Sequence, residues 1–335
     1  MGRKHQAHVL AHAHIEPLLN ERCNDVREAA QRVIVATSQL TIAPEGSDAE
    51  AVHDYRVALR RLRTLLVAAM PLFKANIVAT VRADLRRAAH IAGRVRDEEV
   101  LCETLAAISP PPSIRDHIGT WLTHRAQKLA KHRLRVHDSI VGSALHSALA
   151  PEQTVLNPDG VPGPAGVSHD VYTFAPLDEL LHRVQTLPLK KRAKAISTRA
   201  LAFSALRNGA RKTLQLAAQP DADTPTARHR LRIAWKRVRY TAELFTAISP
   251  TGGGSLAGKT LIKVAARMQK RLGELHDLDE AIRVIEGARR LSVADKMITV
   301  RHLRIQREGL SRMIRTELLE ALSALVPWCD EPAPG

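Results

Sequence analysis

A chain of 335 residues is long enough for two compact domains or one large one, and a hydrophobic fraction of 45% excludes general disorder. Lys and Arg number 50 against 34 for Asp and Glu, a formal charge of +16, so the candidate partners are anionic: nucleic acid, a membrane surface or a phosphate polymer. Aromatic residues make up only 3%, which counts against single-stranded nucleic acid, whose sites stack bases on aromatic rings.

Ala, Leu and Arg recur throughout and favour helix, and no stretch alternates as a strand would, so the expected fold class is all-α. In chain order, residues 1–18 read as a flexible tail carrying His5, His8, His12 and His14. A first helical half follows over 19–150, with turns at SDAE before Val52 and at SPPPS around Pro111. Pro and Gly accumulate over 151–176, which reads as a linker. A second helical half spans 177–327, broken at DADTP before Ala227 and at SPTGGGS after Ile248, and 328–335 reads as a C-terminal tail. Cys23, Cys102 and Cys329 are scattered and odd in number, fitting a reducing compartment better than a disulfide framework. No apolar run approaches a membrane span, and the start lacks a signal-peptide core, so a cytoplasmic protein without a membrane partner is expected.

The two halves match one another. VHDYRVALRRLRTLL from Val52 aligns with RHRLRIAWKRVRYTAELF from Arg228, pairing His53 with His229, Arg56 with Arg232, Arg60 with Lys236, Arg61 with Arg237 and Arg63 with Arg239. IAGRVRDEEV around Gly93 then aligns with RLGELHDLDE around Gly273, pairing Asp97 with Asp277. A weaker match sets Arg125, Gln127, Lys128 and Arg133 against Arg304, Gln306, Arg307 and Arg312. Three collinear matches point to an internal duplication of helical units.

At about 100° per residue, His53, Arg56, Arg60 and Arg63 fall on one helix face, and Ala58, Leu59, Leu62, Leu65 and Leu66 lie on the other side. In the second copy His229, Arg232, Lys236 and Arg239 form the stripe, opposite Trp235, Val238, Ala242 and Phe245. A basic helix face is ordinarily just solvated. These stripes differ because neither contains an acid at its basic positions, so like charges stack one turn apart without the usual i, i+4 support. An anionic ligand would offset that cost. Arginine suits phosphate oxygens because its planar fork donates two parallel hydrogen bonds. His53 and His229 either hydrogen-bond backbone near a helix start or contact phosphate.

HDYRVALRRLR and HRLRIAWKRVRYTAELF resemble the two signature helices of the CHAD domain, the conserved histidine α-helical domain, and AGRVRDEEVL and LGELHDLDEAI resemble its second motif. The resemblance extends from about Leu19 to Leu325. It implies two four-helix bundles related by a pseudo-twofold axis, with a basic groove or pore between them that binds inorganic polyphosphate. It carries that role to His53, Arg56, Arg60, Arg63, His229, Arg232, Lys236 and Arg239, and further to Arg87, Arg94, Arg96, Arg267, Lys270 and Arg271. Asp97 and Asp277 are expected to orient a neighbouring Arg or cap a helix turn, and His276 stands where the first half has Arg96. Attachment to polyphosphate granules is a further family-level expectation. The ExExK signature of the CYTH triphosphatases, which accompany some CHAD domains, is absent.

Two signals point toward enzymes. Gly253–Thr260 satisfies the P-loop pattern, but the preceding TAELFTAIS reads as a helix end rather than a strand, and no downstream strand offers a second metal ligand. His276-Asp277 resembles one pair of a metal phosphohydrolase site, yet the matching Arg96-Asp97 makes Asp the shared element. The expectation is a non-catalytic binding module with no cofactor and no metal. A metal-dependent phosphohydrolase or ATPase and a nucleic-acid-binding helical protein are the alternatives.

Overall fold

The computed structural model describes residues 10–42, 48, 50–108, 112–141, 177–246 and 254–330, and among these every regular element is helical. The linker expected over 151–176 lies outside the described residues. Four long helices make up the first half: α1 (Ala11–Ile42), α2 (Ala51–Ala69), α3 (Ala75–Ala107) and α4 (Pro112–Val141). A short helix α5 (Leu177–Gln185) and a 3-10 turn (Lys191–Ala195) lead to α6 (Thr198–Ala217), α7 (Pro225–Thr246), α8 (Gly254–Glu286) and α9 (Val293–Ser323), and α10 (Val326–Asp330) closes the chain.

Local chemistry sets several of these starts. The Ser197 hydroxyl accepts from the Ala200 amide at 3.2 Å to begin α6, and the Ser292 hydroxyl accepts from the Asp295 amide at 3.1 Å to begin α9. At α7, Thr224 accepts from the Ala227 amide at 3.2 Å while Pro225 occupies the first helical position, where no amide hydrogen is needed. Arg32 of α1 bridges Asp48 at 2.7 Å and Asp54 at 2.5 Å, fixing the entry to α2.

The apolar faces read from the sequence are buried as expected. Leu59, Leu62, Leu65 and Leu66 of α2 join Tyr55 in the first core, and Trp235, Val238 and Ala242 of α7 lie in the second. Full burial of each such side chain is worth about 1.5–3 kcal/mol. Each helix of the first half also touches its counterpart in the second: α1 meets α6, α2 meets α7, α3 meets α8 and α4 meets α9. Two related bundles facing one another would make these four contacts. A third apolar cluster joins the halves, with Leu105, Ile118 and Trp121 packed with Ala281, Ile285 and Leu303.

The boundaries differ from the expected ones in three places. Helix α1 starts at Ala11, inside the expected tail, because Ala11 and Ile15 are fully buried and the Ala11 amide donates to the Ile196 carbonyl at 2.8 Å. Helix α5, read as part of the second half, buries Leu177, Leu180, Leu181 and Val184 in the first core. At the other end α10 runs into the expected C-terminal tail, where Trp328 packs on Phe203 with ring centroids 6.5 Å apart.

Candidate anion-binding site

The two striped helices meet where the halves touch. Arg56 and Arg60 of α2 lie within Coulombic reach of Arg232 and Lys236 of α7, so the four cations form one cluster. Burial, reinforced by Arg232, Arg60 and Arg56, pulls the Lys236 ammonium down from 10.5 to about 7. Desolvation is also the first cause of the lowered pKa of Arg56 and Arg232. Among the described residues none of Arg56, Arg60, Arg232 and Lys236 forms an ion pair within 4 Å. Among the described residues the buried Nε groups of Arg60 and Arg232 have no hydrogen-bond partner. Buried donors without acceptors are rare in folded proteins and call for an explanation such as a ligand.

Two carboxylates border the cluster. Asp97 of α3 acts on Arg56, and Asp277 of α8 acts on Arg232. Both are shifted upward by desolvation, against the lowering pull of those same arginines. Each therefore acts on a neighbouring Arg through its charge, without an ion pair within 4 Å among the described residues. The shared glycine one turn earlier has a physical use in the second half: a Cβ on Gly273 would lie 3.6 Å from Arg232 Nε, whereas Gly93 faces open space. An alanine at Gly273 makes only ordinary contact and removes the helix-interior penalty of glycine, so Gly273→Ala is expected to raise stability by up to about 1 kcal/mol with binding kept. Gly273→Leu displaces the guanidinium and is expected to weaken anion binding about tenfold, a contrast read by paired melting and titration experiments.

At the end of α2 beyond Arg60, Arg63 gathers with Arg82 and Arg86 of α3 and Arg237 of α7. Desolvation comes first and mutual repulsion second in lowering the pKa of Arg63 and Arg82. Among the described residues no carboxylate contributes to either shift. Arg82, Arg86 and Arg237 were absent from the residues expected at the site. Arg237 sits one position off the stripe, and the α3 pair is recognisable only once α3 is placed against α2. Tyr240 is a second omission: Arg60 lies 5.4 Å from its ring centroid and Arg239 5.3 Å.

The remaining expected residues have other contacts. Arg239 pairs with Glu243 at 2.7 Å, and Arg87 pairs with Asp84. Arg96 pairs with Glu103 at 2.9 Å, although its charge still reaches Arg56 and Asp277. Arg94 is exposed and acts on His132 of α4. Arg267 lies 3.6 Å from Glu320, Lys270 3.9 Å from Glu274 and Arg271 3.6 Å from Glu317. His53 is half-buried on α2. His229 stacks on His276 with ring centroids 4.7 Å apart. Desolvation, helped by Arg232 and His229, brings His276 down to about 4. An open pocket of about 420 Å³ lined by Asp223, Arg228, Arg307, Arg312 and Arg315 is also basic, and of its arginines Arg228, Arg307 and Arg315 are paired with Asp223 or Asp279.

The P-loop pattern has no loop behind it over Gly254–Thr260, which form the first turns of α8; Gly253 lies outside the described residues. Among the described residues no group of three or more His, Cys, Asp or Glu side chains could hold a metal ion, and no helix is long and apolar enough to cross a membrane.

These features define an all-helical protein whose two halves meet at a cluster of cations that form no ion pair within 4 Å among the described residues. The CHAD domain family matches residues 24–286, and the chain belongs to that family. Similar solved structures include the CHAD domain from the plant Ricinus communis, 19% identical with a TM-score of 0.56, covering 98% of this chain and 95% of that one. PptA from Streptomyces chartreusis is 17% identical with a TM-score of 0.56, covering 91% and 99%. At these identities the likeness establishes the fold alone. No curated protein matches the chain.

Proposed function

We propose that the chain binds inorganic polyphosphate at this cluster without performing chemistry on it, and so attaches to or organises polyphosphate granules in the cytoplasm. The observation that carries the reading is the contrast between paired and unpaired cations. Arg267, Lys270, Arg271, Arg96 and Arg87 form ion pairs with carboxylates, whereas Arg56, Arg60, Arg63, Arg232 and Lys236 form none within 4 Å among the described residues. Desolvated like charges cost stability unless an anion joins them, and a linear phosphate polymer offers charge at every repeat. Family membership supports polyphosphate as that polymer.

Saturating long-chain polyphosphate, at about 100 times Kd, is expected to add about 2.7 kcal/mol of stability, read as a rise in melting temperature. Orthophosphate release should stay at the background rate with divalent metal present. Release lost in Asp277→Ala or Lys259→Ala would instead favour a phosphohydrolase. Duplex DNA displacing polyphosphate at equal phosphate concentration would favour a nucleic-acid ligand.

A further inference from the structure

We propose that the anion path is one-sided: it leaves the central cluster at the four-arginine end and continues over the Lys190–Lys194 turn, a second subsite for an extended phosphate polymer. The inference rests on the polyphosphate reading above.

Two features make the path asymmetric. The alignment that pairs Gly93 with Gly273 sets Arg82 and Arg86 against Ile262 and Ala266, so neither cation is repeated at the matching position of α8. The turn also adjoins the four-arginine end. Arg82 Nη1 lies 3.0 Å from Met70 Sδ, and two residues later the Leu72 carbonyl accepts from the Lys190 amide at 2.8 Å. Phe73 bridges to Leu189, and the Lys74 amide donates to the Pro188 carbonyl at 3.3 Å.

The turn presents its charge from a fixed base. Ala193 is fully buried, and Leu189 and Ile196 pack against the first core. Lys191, Arg192 and Lys194 are exposed, and Lys190 is half-buried. A solvated basic face normally carries interspersed acids. Here no acidic residue stands between Glu179 and Asp221, and among the described residues the four cations of the turn form no ion pair. A chain longer than the central cluster would find its next cations there.

The test compares two probes, tripolyphosphate and long-chain polyphosphate, on the parent chain and on a Lys190→Ala, Lys191→Ala, Arg192→Ala, Lys194→Ala variant. Tripolyphosphate affinity should agree within about twofold, while long-chain affinity should fall about tenfold or more near physiological salt. The slope of log affinity against log salt should become shallower by up to about 3, at roughly 0.7 for each phosphate no longer neutralised. An unchanged melting temperature establishes that the variant is folded, and a Lys190→Arg, Lys191→Arg, Lys194→Arg variant should bind as the parent does. Unchanged long-chain binding, or equal losses with both probes, would overturn the second subsite while leaving the central site standing. Failure of the parent chain to bind either probe would overturn the polyphosphate reading itself.

Discussion

Alanine at Arg56, Arg60, Arg232 and Lys236 together is expected to abolish polyphosphate binding, at least a thousandfold, while leaving the free protein folded. Hydrogen bonds to charged groups contribute about 1.5–3 kcal/mol each, so losing three or more of them exceeds the ~4 kcal/mol that a thousandfold represents. Stability is spared for a different reason. These cations are desolvated and repel one another, so removing them relieves a cost that roughly offsets the lost packing of their stems and the carboxylates left behind at Asp97 and Asp277. Titration and chemical denaturation read the two effects separately. The control variant, with alanine at Arg267, Lys270 and Arg271, removes cations held by Glu274, Glu317 and Glu320. It should bind within about threefold of the parent, because these pairs lie outside the cluster and exposed pairs are worth little.

The second large effect is a pH dependence centred on Lys236. Its pKa of about 7 in the fold lies below the 10.5 of an unperturbed lysine, so between those values the unfolded chain holds a proton that the folded protein has released. Unliganded stability should therefore rise with pH across that window, by at most about 1.4 kcal/mol per unit. Over the whole window the gain is about 3–4 kcal/mol once partial exposure is discounted. His276, lowered from 6.5 to about 4, acts with the same sign between those values. A polyanion reverses the sign at Lys236 because phosphate charge favours the ammonium. Binding above pH 7 should then take up a proton and weaken by up to about tenfold per unit. Lys236→Met should remove both dependences and raise stability near neutral pH by about 3 kcal/mol. Denaturation at several pH values checks the first effect, and titration calorimetry in buffers of different ionisation heat checks the second.

Much of the architecture was legible in the sequence because helix periodicity is local. The burial of Leu59, Leu62, Leu65, Leu66, Trp235 and Val238 follows from spacing alone. The stripe residues Arg56, Arg60, Arg232 and Lys236 were legible for the same reason: an acid-free face is visible along a single helix. Pairing between helices was not. Nothing along α8 alone shows that Arg267 and Arg271 meet Glu320 and Glu317, which α9 brings alongside them. Arg82 and Arg86 looked ordinary until α3 set them beside Arg63 and Arg237. The start of α1 is not legible locally, since what decides it is the burial of Ala11 and Ile15 and the hydrogen bond from the Ala11 amide to Ile196, nearly two hundred residues away.

A crystal structure of the chain with a short polyphosphate bound tests the central claim most directly. An intact chain should lie with its oxygens within hydrogen-bond distance of Arg56, Arg60, Arg232 and Lys236, contacting both α2 and α7. A polyphosphate seated instead in the pocket lined by Arg228, Arg307 and Arg315, or a cleaved product beside a metal at Asp277, would contradict it.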